Sequence, residues 1–194
     1  MINYFRPTFA FLWICVLFVS ACGDSTKKVY KGESYINYPD IYMLLRDNLE
    51  SYEKSALKFS VLSIEGANKS QEELSASAMD WKDIKSIFYK AHINQEKFDN
   101  KYRIDVFEDS TGTTTLTYTA LDPEIPTRVF TITATKLTGN LQSIYIEYRD
   151  QGFISSEEYK LLYVNGKLIQ IQEWIKKPFR SLKERKRFFT FLTS

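Results

Sequence analysis

The side chains best suited to chemistry are few in this sequence. It has two cysteines, Cys15 and Cys22, and one histidine, His92. A lone imidazole cannot assemble a His-based metal site, and no serine or cysteine nucleophile motif accompanies it. The plainer expectation for His92 is a cation closing the end of a helix. Carboxylates are more plentiful. Asp105, Glu108 and Asp109, or Glu157 and Glu158, could supply a glycosidase-like acid and base, which would require two of them to face one cleft ~5 to 10 Å apart. Charge beside turns is the competing account. No Gly-rich phosphate loop or calcium loop of the EF-hand type is present, and no cofactor is implied. The most distinctive charged feature is Lys176 to Arg187 (KKPFRSLKERKR), with seven cations and one anion, interleaved with Phe179 and Leu182 and followed by Phe188, Phe189 and Phe191. A basic segment flanked by aromatics suits anionic headgroups or a phosphate-bearing glycolipid. That makes Lys176, Lys177, Arg180, Lys183, Arg185, Lys186 and Arg187 candidate membrane contacts. The alternative is a terminal helix or strand whose phenylalanines pack on the rest of the domain.

Cys22 is set apart by what precedes it. Met1 to Pro7 holds one cation, Arg6, and leads into an apolar run that reads FAFLWICVLFV from Phe9 to Val19. These have the form of the n-region and h-region of a secretory signal peptide. The run is well short of the ~20 residues a helix needs to cross the hydrocarbon core. Val19-Ser20-Ala21-Cys22 follows directly and resembles the bacterial lipobox: an aliphatic residue, two small residues, then cysteine. Small residues let an extended segment lie in a peptidase cleft, and a thiol is what forms a thioether to diacylglycerol. The resemblance implies a bacterial lipoprotein precursor, cleaved between Ala21 and Cys22, with Cys22 lipidated. Cys15 would leave with the signal peptide, so the mature chain would hold neither a free thiol nor a disulfide. Two or three acyl chains make such a tether effectively permanent, whereas one binds only marginally. Gly23 stands where aspartate is the inner-membrane retention signal of enteric bacteria, so the expected address is the outer membrane, facing the periplasm.

Composition bounds the remainder. The 194 residues are 44% hydrophobic and 15% aromatic, enough for one core of ordinary size and rich in strand formers. Twenty-six cations against 24 anions give no global field to draw in nucleic acid. The expected organisation is a signal peptide over 1–21, a lipidated cysteine and flexible stalk over 22–37, and one globular α+β domain over 38–194.

Within that domain the spacing predicts two helices and then strands. Pro39 suits a first helical turn, and Ile41, Leu44, Leu45, Leu49, Tyr52, Ala56 and Phe59 recur at helical spacing, predicting a helix over about 39–62. Glu65-Gly66-Ala67-Asn68-Lys69 reads as a breaker. Ser70 and Glu73 have the form of a capping box, and Leu74, Ala78, Trp81, Ile84, Phe88 and Ala91 continue a second helix to about 91. After His92 to Asn100 the period becomes two. Strands are expected around 102–106, 114–120, 129–135, 144–148, 159–163 and 168–175, with Asn165-Gly166 as the clearest hairpin turn. The predicted architecture is therefore an N-terminal two-helix hairpin packed on an antiparallel meander of about six strands, with a curved sheet an option. That outline is similar to envelope carriers of lipoproteins and lipids, although no residue motif of theirs occurs here.

These features predict a membrane-tethered, non-enzymatic envelope lipoprotein that binds an apolar ligand or a protein partner. A cavity lined by Tyr, Phe and Leu would favour the ligand, and a filled interior with an exposed apolar patch would favour an interaction module. A glycan-acting hydrolase using paired carboxylates is the remaining alternative.

Overall fold

A computed structural model describes residues 38–192 and the short strand β1 (Lys28–Val29). The first helix, α1 (Ile41–Glu53), begins where the sequence supplies a cap. The Asp40 carboxylate accepts from the backbone N–H of Tyr42 at 2.8 Å and of Met43 at 3.3 Å, satisfying two donors that a helix start leaves free. Pro39 sits just before that cap. Ile41, Leu45 and Leu49, spaced at i, i+4 and i+8, are all fully buried. The helix ends at Glu53, and the Ser55 hydroxyl closes it by donating to the Tyr52 carbonyl at 2.6 Å.

From Lys58 the chain is strand where helix is expected. β2 (Lys58–Glu65) and β3 (Asn68–Ser75) form a hairpin with Glu65 opposite Asn68. Gly66 takes φ 58° at the first of two loop positions, a conformation that glycine adopts without steric cost. Phe59, Val61, Leu62 and Ile64 are aromatic or largely β-branched, and Phe59 and Val61 alternate inward with a period of two. Their coincidence with the helical spacing of α1 is what suggests a longer helix. Ser70 and Glu73 lie on the exposed edge strand β3 and cap nothing. The second helix, α2 (Trp81–Lys90), starts later, capped by Asp80 through a 3.0 Å bond from the Asp83 N–H. Trp81, Ile84, Ile87 and Phe88 form its buried stripe, and the Trp81 indole donates to the Ala76 carbonyl at 2.7 Å.

Seven strands follow: β4 (Tyr102–Glu108), β5 (Thr113–Ala120), β6 (Thr127–Thr135), β7 (Leu141–Gln151), β8 (Ser156–Val164), β9 (Leu168–Lys176) and β10 (Lys183–Leu192). The first six are the strands expected from the alternation. β10 then pairs with β2 over Arg185–Leu192, so the early hairpin joins the far side of the meander. The result is one antiparallel sheet in the order β1-β4-β5-β6-β7-β8-β9-β10-β2-β3.

The predicted N-terminal helical hairpin on about six strands is thus incorrect. The helices are short, a β-hairpin separates them in sequence, and the sheet carries nine strands of seven residues or more plus the two-residue β1. The helices still lie side by side. Lys85 Nζ meets Glu53 Oε2 at 2.6 Å, the Tyr42 and Tyr89 rings are 4.9 Å apart, and His92 Nδ1 lies 3.7 Å from Asp40 Oδ1. The partner registers put Tyr102, Tyr118, Phe130, Ile146, Leu161, Ile171, Phe189 and Phe59 on one face of the sheet, where they merge with the helices into a single core. Glu173 is on the same face.

Candidate functional site

Sheet topology decides which loops are neighbours. In an antiparallel meander alternate hairpins emerge at the same end, and here those joining β5–β6, β7–β8, β9–β10 and β2–β3 share one rim. Consecutive hairpins along that rim are about 10 Å apart, two strand spacings. Among the described residues, nine large apolar side chains are exposed, and five of them are on this rim: Leu121, Phe153, Ile154, Phe179 and Leu182. Phe153 and Phe179 are at 104% and 109% of full exposure, so neither contributes packing to the fold.

The β9–β10 connection shows how the chain makes such a tip. Lys177-Pro178-Phe179-Arg180 closes with a 3.2 Å bond from the Arg180 N–H to the Lys177 carbonyl. Proline at the second position fits, while the third takes φ 57° and is phenylalanine. A turn of this kind favours glycine or asparagine there. A bulky residue held in the left-handed region is strained. The strained Phe179 side chain therefore points at solvent on a loop of cations.

The seven candidate contacts divide in two. Arg185 and Arg187 lie on the helix-covered face. Arg185 Nε donates to Glu173, which is only 2% exposed, and Arg187 Nη1 donates to Asp83 Oδ2 on α2 at 2.6 Å. Arg187 Nη2 lies 3.7 Å from Glu173 Oε2. Lys183 pairs with Glu65 at 3.2 Å, and Lys186 with Glu184 at 3.0 Å. These four cations are neutralised within the fold, two of them as ties between β9, β10 and α2. Lys176, Lys177 and Arg180 have no ion-pair partner among the described residues, and they flank Phe179. The unpaired positive charge is thus concentrated on the β9–β10 connection beside Phe179 and Leu182, whereas Leu121 and Phe153 stand near the acids Asp122, Glu124 and Asp150.

The connection also borders a cleft of about 260 Å³ lined by Glu173, Ile175, Lys177, Arg180, Ser181, Lys183 and Arg185. On its other side a shallower groove runs to the β2–β3 turn, along Glu65–Asn68 and Arg180–Glu184.

The candidate acid–base groups are placed differently. Glu157 and Glu158 are consecutive on β8, so they face opposite sides of the sheet. Glu157 accepts from Lys90 Nζ at 2.7 Å. That hydrogen bond holds its carboxyl below the usual value, against the effect of burial. Glu158 lies 3.8 Å from Arg149 Nε. Asp105 and Glu108 likewise take opposite faces of β4, beside Arg103 and Lys136. Asp109 shapes the β4–β5 turn, accepting from the Thr113 and Thr111 N–H groups at 2.8 and 3.0 Å. The Thr113 bond is the main cause of its lowered pKa, the direction opposite to what a general acid needs. His92 lies just past α2 beside Asp40.

Ala21 and Cys22 lie outside the described residues, as do the rest of the predicted signal peptide and most of the stalk. No protein-family model matches the chain, and neither a curated protein nor a solved structure matches it. The outline likeness to envelope lipid carriers therefore has no structural relative behind it. No helix among the described residues is long and apolar enough to cross a membrane.

Two signals in the sequence point to the rim, of which only Phe179, inside the basic run, is picked out by composition. Gly152-Phe153-Ile154 places large apolar residues directly after a glycine between two strands. Lys177-Pro178-Phe179 places one inside a proline turn. A turn usually spends such positions on polar or small residues.

Proposed function

We propose that this chain is a lipid-anchored, non-enzymatic protein of the bacterial envelope whose domain acts as an interaction module, pressing its loop rim against an anionic membrane surface. The observation that carries the reading is the convergence of Phe153, Ile154, Phe179 and Leu182 with Lys176, Lys177 and Arg180 on neighbouring hairpins. An interfacial protein needs this combination: apolar tips that enter the headgroup layer and cations that meet its charge. The helix-covered side of the sheet is filled by its own core, which favours an external surface over an internal ligand site.

The tether is long enough for this orientation. Five residues lie between Cys22 and Lys28, which pairs with Val106 on β4. The six steps from Cys22 to Lys28 reach at most ~20 Å. Val106 stands four residues along β4 from Tyr102 at the rim, ~13 Å. Because β1 runs antiparallel to β4, the chain enters it from the side away from the rim and must turn back for Cys22 and the rim to meet one bilayer.

Two experiments test the parts separately. Cells fed labelled fatty acid should incorporate it into the wild-type chain and not into Cys22→Ala; label retained by the variant rules out the anchor. The unacylated 23–194 chain, which keeps every described residue, should sediment with phosphatidylglycerol vesicles, and Phe153→Ser with Phe179→Ser should release it. Equal sedimentation of wild type and double variant rules out the rim.

A further inference from the structure

The cleft beside the β9–β10 connection is more specific than a charged surface needs to be. Four cationic side chains, Lys177, Arg180, Lys183 and Arg185, line it together with the Ser181 hydroxyl. Glu173 also lines it, but its carboxylate is committed to Arg185 and Arg187. Lys183 is likewise matched by Glu65. The charge left over belongs to Arg180 and to Lys177, whose charge also acts on Glu157 of β8, on either side of the turn that presents Phe179. A guanidinium, an ammonium and a hydroxyl around one small cleft are donors only or donor-rich, and their natural complement is a compact, multiply accepting anion. At about 260 Å³ the space suits a headgroup and not an acyl chain.

We infer that this cleft is a subsite for one phosphate group borne on a glycerolipid headgroup. The inference rests on the membrane-docking reading and adds to it. The apolar tips would set the depth of insertion, and the cleft, one side chain away, would fix the register of the rim over a single headgroup. Arg180 would grip two phosphate oxygens through its planar fork, Lys177 would supply a point charge, and Ser181 would donate a third hydrogen bond.

The test uses the unacylated 23–194 chain and glycerol 3-phosphate as the soluble headgroup, followed by phosphorus NMR. The wild type should show a saturable shift. Arg180→Gln and Ser181→Ala, both at exposed positions, should each weaken binding at least about tenfold. Lys176→Gln removes an equal charge from the same rim without touching the cleft, and should weaken it less than about threefold. A shift that never saturates, or equal losses in Arg180→Gln and Lys176→Gln, overturns the subsite and leaves docking standing. Inorganic phosphate binding as tightly as glycerol 3-phosphate overturns the lipid-borne source. Saturable headgroup binding with no vesicle binding overturns both the docking and the lipid assignment.

Discussion

Phe179→Asn separates stability from function at a single exposed position. Phe179 takes φ 57° and its side chain is fully exposed, so the fold carries the strain of a left-handed bulky residue with no packing in return. That conformation costs a residue other than glycine about 1–2 kcal/mol, and asparagine relieves part of it through its short polar side chain. Taking about half of the strain as recovered gives ~0.5–1 kcal/mol of added stability. For a domain of this size each kcal/mol moves Tm by roughly 2–4 °C, so thermal unfolding should shift up by about 1–4 °C. Vesicle binding should move the other way. Full burial of a phenylalanine is worth about 1.5–3 kcal/mol, so losing it weakens partitioning about tenfold or more. Calorimetry and vesicle sedimentation on the same preparation read both. A fall in Tm would show that the Phe179 side chain supports the fold. A rise in Tm with unchanged vesicle affinity would show that the strained tip does not touch the bilayer.

Other positions give further outcomes. Glu173→Ala leaves the half-buried Arg185 without its carboxylate partner while Arg187 keeps Asp83, and losing a hydrogen bond to a charged group costs about 1.5–3 kcal/mol, so Tm should fall by roughly 3–12 °C. Neutralising Lys176, Lys177 and Arg180 together should abolish most of the salt dependence of vesicle binding, since each cation near an anionic surface contributes ~1 kcal/mol that salt screens; neutralising Arg185 should instead lower Tm. The lowered pKa of Glu157 means its bond to Lys90 stabilises the fold fully above the ordinary carboxylate value of 4.5 and is lost as pH falls through the lowered one. Both side chains are partly exposed, so the difference in stability between wild type and Glu157→Gln should be under ~1 kcal/mol at neutral pH and vanish in acid.

The six strands from β4 to β9 were legible because each alternates apolar and polar residues between clear turns, as at Asp109–Gly112 and Asn165-Gly166. The β2–β3 hairpin was not, because Leu45, Leu49, Tyr52, Ala56 and Phe59 happen to keep a helical period across the true end of α1. Pairing with β3 on one side and with β10, more than a hundred residues away, on the other resolves the ambiguity in favour of strand. β10 itself was hidden by its charge: KERKR reads as a solvated face until Glu173 and Asp83 are seen across from Arg185 and Arg187. The site was half legible. The basic run could be read from composition. Which of its cations are free, and that Phe153 sits beside Phe179, depends on strand order and on partners supplied by distant elements.

Placing a fluorophore at the tip tests membrane contact most directly. Phe179→Trp in the unacylated 23–194 chain, mixed with phosphatidylglycerol vesicles and read as the difference from the parent chain with its Trp81 and Trp174, should show emission shifted to the blue and quenched by lipids brominated high on their acyl chains. Phe107→Trp, near the opposite end of the strands, should show neither. If tryptophan at 179 remains as solvent-exposed with vesicles as without them, while the chain still sediments with them, the domain meets the membrane by another face and the account of the rim is wrong.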